Sequence, residues 1–305
     1  MEKTTKVPWF NTSIIGNATL PWLITNSVQL DYLFWTRNRW SLAEKCEFLA
    51  KKYFLIAVHA AKLKRFTLGK SAMRLRGRQV YYESSLGFAD YQSVLTRHEF
   101  MVSQCQLQDQ GTIVDLGANV GYFTLLLAER FPHARILAFE PVRRTFQCLR
   151  QNTRGFSNVE AHNMAISNFA GEAFMRFDEL ESQTSQLTHS PTAEAVQVDT
   201  LDHVLMQHNI TKVDLLKIDV ENAEKFVLQG ARTTLANTRY LLIEINIADN
   251  ENYTFSDLVS LLYCGAFNFQ LVALRNFSNV AEGRIPVGDF LFENILYRST
   301  DERGM

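Results

Sequence analysis

The sequence predicts an α/β fold: a doubly wound, mostly parallel sheet with an antiparallel C-terminal edge, preceded by a helical N-terminal segment. Three observations predict it. Beyond Gly111, short apolar or β-branched runs alternate with helical segments, the pattern of a parallel sheet covered on both faces. A glycine-containing turn follows the first of these runs at once, where open α/β sheets bind ligands. The last two runs, 267–273 and 289–297, read as antiparallel partners closing one sheet edge.

Residues 1–100 read as a basic helical segment and residues 101–305 as the main domain. From Ser41 to Lys64, the residues Leu42, Cys46, Leu49, Tyr53, Phe54, Ala57 and Ala61 recur at three- and four-residue spacing, which predicts one amphipathic helix. A basic run follows: Lys62, Lys64, Arg65, Lys70, Arg74, Arg76 and Arg78. Residues 1–80 hold 14 Lys and Arg against 4 Asp and Glu, although the whole chain has a net charge of -1. That asymmetry suits either peripheral contact with an anionic surface, a membrane before a nucleic acid, or a plainly solvated helix face.

In the main domain the strand runs are Thr112–Leu116, Arg135–Glu140, Val159–Asn163, Val213–Asp219 and Tyr240–Asn246. Helices are expected over Tyr122–Arg130, Val142–Arg154, Glu221–Leu235 and Asp257–Tyr263. Residues 171–198 interrupt the alternation and read as an extra strand pair or a mobile loop.

Composition narrows the class. With 47% apolar and 21% charged residues the chain is globular and not disordered. Cys46, Cys105, Cys148 and Cys264 form no Cys-x-x-Cys pair, so neither a disulfide framework nor a zinc motif is indicated, and a reducing, cytoplasmic location is expected. The longest apolar stretch, Tyr53 to Ala61, carries His59 and is too short to span a bilayer.

The turn Asp115-Leu116-Gly117-Ala118-Asn119-Val120-Gly121 carries the functional reading. Gly117 and Gly121 permit close backbone approach, and Asn119 tolerates the left-handed region. A dinucleotide-binding turn needs Gly-x-Gly-x-x-Gly, so that a pyrophosphate rests on the helix N-terminus; the acidic Asp115 and the missing second glycine disfavour it. An acidic turn suits a cofactor with a cationic amino acid end, as S-adenosylmethionine has. Glu140 ends the second strand about 20 residues on, where a carboxylate accepts from both ribose hydroxyls; the alternative is a helix-capping role beside Pro141.

Val114–Gly121, Ala138–Pro141, Asn163–Ser167, Thr200–Asp202, Asp214–Glu221 and Ile243–Ile245 together, in order and spacing, closely resemble the FkbM family of methyltransferases over roughly residues 110–246. The resemblance implies a class I methyltransferase (Rossmann-like) fold, S-adenosylmethionine as methyl donor, and a hydroxyl acceptor on a small metabolite or glycan. By position it implies that Asp115, Gly117, Asn119 and Gly121 line the methionine end, Glu140 the ribose, and Ala165 with Ile166 the adenine, with the Asn163 amide at the adenine edge. For Ala165 and Ile166, strand-end packing is an equal alternative. The family usually reads Asp-Val-Glu-Gly-Ala-Glu where this chain has Asp219-Val220-Glu221-Asn222-Ala223-Glu224, which bears on the local geometry.

Methyl transfer from a sulfonium is an in-line displacement, and an aliphatic hydroxyl must also lose its proton to a nearby base. Asp219, at the end of the fourth strand, is the first candidate base and Glu221 the second; Glu221 and Glu224 also fit the positive end of the following helix. Lys217 can pair with one of these carboxylates. Asp219, Glu244 and Asn246 offer hard oxygen ligands, but their spacing does not assign a metal. His98, His162 and His189 are weaker candidates as proton acceptors. Two further readings are a nucleotide-dependent oxidoreductase and a non-catalytic scaffold that binds an anionic surface.

Overall fold

The computed structural model describes residues 31, 35, 40–60, 68–75, 78–84, 87–178, 181–188, 194–246, 252–263, 267–275 and 287–297. The chain opens with α1 (Leu42–Ala60), the hairpin strands β1 (Leu68–Leu75) and β2 (Arg78–Ser84), and α2 (Gly87–Ser103). Alternation then begins with β3 (Thr112–Leu116), α3 (Tyr122–Arg130), β4 (Arg135–Phe139), α4 (Arg143–Thr153) and β5 (Val159–His162). A small sheet follows from β6 (Ala165–Ser167), β7 (Gly171–Asp178), β8 (Glu181–Thr188) and β9 (Glu194–Thr200). The chain returns through α5 (Leu201–Gln207), β10 (Val213–Ile218), α6 (Glu224–Gln229), α7 (Arg232–Ala236), β11 (Thr238–Asn246) and α8 (Phe255–Tyr263), and ends its described part with β12 (Phe269–Arg275) and β13 (Val287–Asn294).

The main sheet has seven strands in the order β12-β13-β11-β10-β3-β4-β5. The pairs among β5, β4, β3, β10 and β11 are parallel, while β13 runs antiparallel to both β11 and β12. This is the doubly wound sheet with an antiparallel edge that the sequence predicts. The central strands are buried on both faces, which is why they read as near-continuous apolar runs. On one face Ile113, Ile136, Leu215, Tyr240, Leu242 and Leu291 pack against Met101, Phe123 and Leu127 from α2 and α3. On the other, Val114, Leu137, Leu216, Leu241 and Phe290 pack against Leu201, Val227, Leu235 and Leu258 from α5 to α8. Strand order reverses between β3 and β10, and this opens a crevice at their carboxyl ends.

Several expectations are corrected. The helix expected over 221–235 begins only at Glu224 and breaks at Gly230, where a Cβ would stand 2.1 Å from the Ser167 carbonyl oxygen; close approach to β6 demands glycine. The 171–198 region supplies three strands, not a pair. The N-terminal segment is not purely helical, since a hairpin occupies part of the basic run, and a boundary at residue 100 falls inside α2. Phe48 of α1, Val80 and Tyr82 of β2, and Tyr91 and Leu95 of α2 pack on Val120, Tyr122 and Cys148, so this segment rests on the glycine turn. Lys62, Lys64, Arg65, Arg76, His189 and Cys264 lie outside the described residues. No helix among the described residues is long and apolar enough to cross a membrane.

Candidate cofactor and catalytic site

The turn after β3 wraps over the end of β4. The amides of Gly117 and Ala118 both donate to the Phe139 carbonyl oxygen, at 3.1 and 2.9 Å. Gly117 has φ +74, and a Cβ there would lie 1.8 Å from the Asp219 carbonyl oxygen, so β3 and β10 can meet this closely only at a glycine. Gly121, at φ +91, abuts Leu149 of α4. Asn119 takes φ +53, as the sequence allows for, and its Oδ1 accepts from the Val120 amide.

Glu140 sits beside this turn, because β3 and β4 pair in register through Leu116 and Phe139. Its Oε2 accepts from the Asn119 amide and its Oε1 from the Val142 amide, both at 2.9 Å. The Asn163 Nδ2 donates to the carbonyl oxygens of Glu140 and Pro141, at 2.9 and 2.8 Å. That group therefore pins the backbone around Glu140. Ala165 packs with Val142 and Val198 and Ile166 enters the main core, so both are buried by strand-end packing.

Asp115 is fully buried. Its Oδ2 accepts from the Thr124 hydroxyl at 2.6 Å, while Oδ1 has no hydrogen-bond partner and lies 3.6 Å from Lys217 Nζ. Lys217 also reaches Asp219 Oδ2 at 2.9 Å. Parallel pairing of Lys217 with Asp115 creates the first contact and the two-residue strand period the second. Burial opposes the Lys217 charge, but Asp219 and Asp115 outweigh it and hold the ammonium above its ordinary range. Asp219 is likewise disfavoured by burial, yet Lys217 and a hydrogen bond with Glu244 keep it below the usual carboxylate range.

The following turn is strained. Glu221 and Asn222 take φ +52 and +71, so the position where the family usually has glycine does require the left-handed conformation. Glu221 thus lies in the turn that leads into α6, ahead of its first helical turn. Glu224 does begin the helix; its Oε1 accepts from the Val220 and Asn222 amides and its Oε2 from the Tyr253 hydroxyl at 2.5 Å. Burial, then the nearby Asp219 and Glu224, push Glu221 well above the ordinary glutamate range. Burial with Asp219 and Asp289 does the same to Glu244.

Sequence reasoning singles out Asp115, Gly117, Asn119, Gly121, Glu140, Asp219 and Glu221, and among these the structure joins Gly117 to the Asp219 carbonyl, Glu140 to the Asn119 amide and Asp115 to Asp219 through Lys217. It missed Thr124 and Asp289, whose roles depend on contacts nine or more residues away. His98 reaches 3.9 Å from Asp289 beneath the same sheet face. The His162 carbonyl oxygen accepts from the Glu140 amide at 3.0 Å, while its ring stacks on Phe139 beside His208.

Residues 115–271 match the family model described as "Methyltransferase FkbM domain". Among individual relatives, "Methyltransferase 1" of Beauveria bassiana is 31% identical over 160 residues, covering 43% of this chain and 64% of its own. "Methyltransferase sdnD" of Sordaria araneosa is 29% identical over 175 residues, covering 46% and 67%. "31-O-demethyl-FK506 methyltransferase FkbM" of Streptomyces tacrolimicus is 24% identical over 206 residues, covering 56% and 78%. The matched stretch thus spans about two thirds of the first two relatives' length. With the family model covering just over half of its residues, the chain belongs to the FkbM methyltransferase family.

Proposed function

We propose that this protein transfers the methyl group of S-adenosylmethionine to a hydroxyl group on a small metabolite or glycan. The observation that carries the reading is the meeting of the glycine turn, Glu140 and Asp219 at the point where strand order reverses. The residues fit the cofactor. A Cβ at Gly117 would meet the Asp219 carbonyl, and Asp115 Oδ1, which pairs with Lys217 but accepts no hydrogen bond, lies buried below the turn. Glu140 would hold the ribose hydroxyls, and the backbone from Gly117 to Gly121 would line the methionine end. When bound, S-adenosylmethionine supplies an electrophilic methyl on a sulfonium.

The remaining work belongs to side chains of this chain. Lys217 keeps Asp219 ionised, so the carboxylate accepts the hydrogen bond of an incoming hydroxyl and orients its oxygen. A hydroxyl oxygen that is taking up a methyl group becomes strongly acidic, so even a carboxylate of depressed basicity can remove the proton. Glu221, which keeps its own proton further up the pH scale, is the second candidate at the acceptor. The relative named for a 31-O-demethyl substrate supports oxygen as the receiving atom.

Incubation with methyl-deuterated S-adenosylmethionine and pooled hydroxylated metabolites and glycans, followed by mass spectrometry, tests the proposal. A labelled methyl on an oxygen of one component is expected. Labelling on nitrogen or carbon alone would overturn the hydroxyl assignment.

A further inference from the structure

On the sheet edge away from Asp219, two histidines and a carboxylate converge. Glu160 and His162 are two residues apart on β5, so both point to one face, and His208 caps the C-terminus of α5. One ligating atom from each lies within 4.8 Å of the other two, and His208 Nδ1 stands 3.4 Å from Glu160 Oε2. Tetrahedral zinc, with bonds of about 2.0–2.1 Å to nitrogen and oxygen, sets neighbouring ligand atoms about 3.3–3.4 Å apart. That edge of the polyhedron already exists.

A second observation is independent of the clustering. His162 Nε2 is buried without a hydrogen-bond partner, an expensive state for a ring nitrogen. Its ring is held by stacking on Phe139, with centroids 4.9 Å apart and planes 17° from parallel, and it meets the His208 ring edge-on at 5.0 Å.

Arg135 is the resident cation of this cluster. Its Nε donates to Glu160 Oε1 at 2.8 Å, and its Nη1 donates to the His208 carbonyl oxygen at 3.1 Å. Only the longer contacts of Nη2, at 3.4 Å to Glu160 Oε2 and 3.3 Å to His208 Nδ1, involve the atoms a metal would need. Admitting a metal requires the planar guanidinium to tilt about the line of its two shorter bonds, swinging Nη2 away from Glu160 Oε2 and His208 Nδ1. Glu160 is then oriented through Oε1 while Oε2 faces inward, the arrangement in which an outer hydrogen bond orients a ligating carboxylate.

We infer that Glu160 Oε2, His162 Nε2 and His208 Nδ1 form a binding site for a divalent transition metal of the zinc class, with solvent as the fourth ligand. Two imidazoles and one carboxylate favour zinc over magnesium or calcium, which prefer all-oxygen sets. The site joins edge strand β5 to the end of α5. It lies one residue before Asn163, which pins the backbone of Glu140, so bound metal would stiffen the cofactor side of the sheet. The inference does not depend on the proposed methyl transfer.

Titration of zinc sulfate into the full chain, read by calorimetry and native mass spectrometry, tests it without any activity assay. One zinc per chain is expected, with affinity reduced at least about tenfold in both His162→Ala and His208→Ala. Arg135→Gln should bind zinc about tenfold more tightly, because a cation beside the metal is removed. His162→Gln replaces the alanine variant if circular dichroism shows that the latter is unfolded. Absence of bound zinc, equal affinity in the histidine variants, or weaker binding in Arg135→Gln would each overturn the assignment.

Discussion

Replacing Lys217 with Met removes the ammonium group that lies between two buried or half-buried acids while keeping most of the side-chain volume. Lys217 lies 3.6 Å from Asp115 and 2.9 Å from Asp219, with side-chain exposures of 5, 0 and 26% for the three residues. Breaking a buried pair by removing one partner costs about 3–5 kcal/mol, because the other charge stays buried and uncompensated. For a domain of this size each kcal/mol moves the midpoint by about 2–4 °C, so a fall of about 6–20 °C is expected near neutral pH. The difference also depends on pH with a definite sign. Asp219 titrates below its ordinary range, so its contribution is present above the unfolded value and is lost as pH falls through the folded one. Wild type and Lys217→Met should therefore converge in acid, and Asp115→Asn in the Lys217→Met background should recover part of the loss. Urea denaturation from pH 3.5 to 8 measures this. A difference below about 1 kcal/mol at pH 7.5, or one that does not shrink in acid, would refute the reasoning.

Glu244→Gln should flatten the decline of stability above about pH 4.5. The native state holds the Glu244 proton to higher pH than the unfolded chain does, so wild-type stability falls as pH rises through that window; thermal melts across pH 5–8 check the slope. Asn222→Val should destabilise by about 1–2 kcal/mol, since a β-branched residue fits φ +71 poorly, whereas Asn222→Gly should stay within about 0.5 kcal/mol of wild type by urea midpoint. Gly117→Ala should weaken S-adenosylmethionine binding about 100-fold or more, equivalent to about 2.7 kcal/mol, because its Cβ would force β3 and β10 apart; equilibrium dialysis with labelled cofactor measures it.

The sheet was legible because strands buried on both faces carry an unambiguous pattern, as Ile113-Val114 and Leu215-Leu216 do. The hairpin of β1 and β2 was not, since Lys70, Arg74 and Arg78 made a basic run that masked the strand periodicity. Helix α2 escaped for a related reason: its buried side includes Gln92 and Thr96, which dilute the apolar stripe formed by Tyr91, Leu95 and Val102. At the turn, the left-handed backbone of Gly117, Asn119 and Gly121 is readable because that demand is local to the turn. The partners of Lys217 depended on register across β3 and β10, which no local pattern encodes. Likewise, the spent amide of Asn163 and the meeting of His162 with His208 arise only when distant segments pack.

Titrating S-adenosylmethionine calorimetrically into wild type and Glu140→Ala puts the crevice itself to the question. Saturable one-to-one binding is expected for wild type, weakened by about 10- to 100-fold in the variant, where charge-assisted hydrogen bonds worth about 1.5–3 kcal/mol are gone. Equal affinity in both proteins would contradict the placement of the cofactor beside the β3–β4 turn.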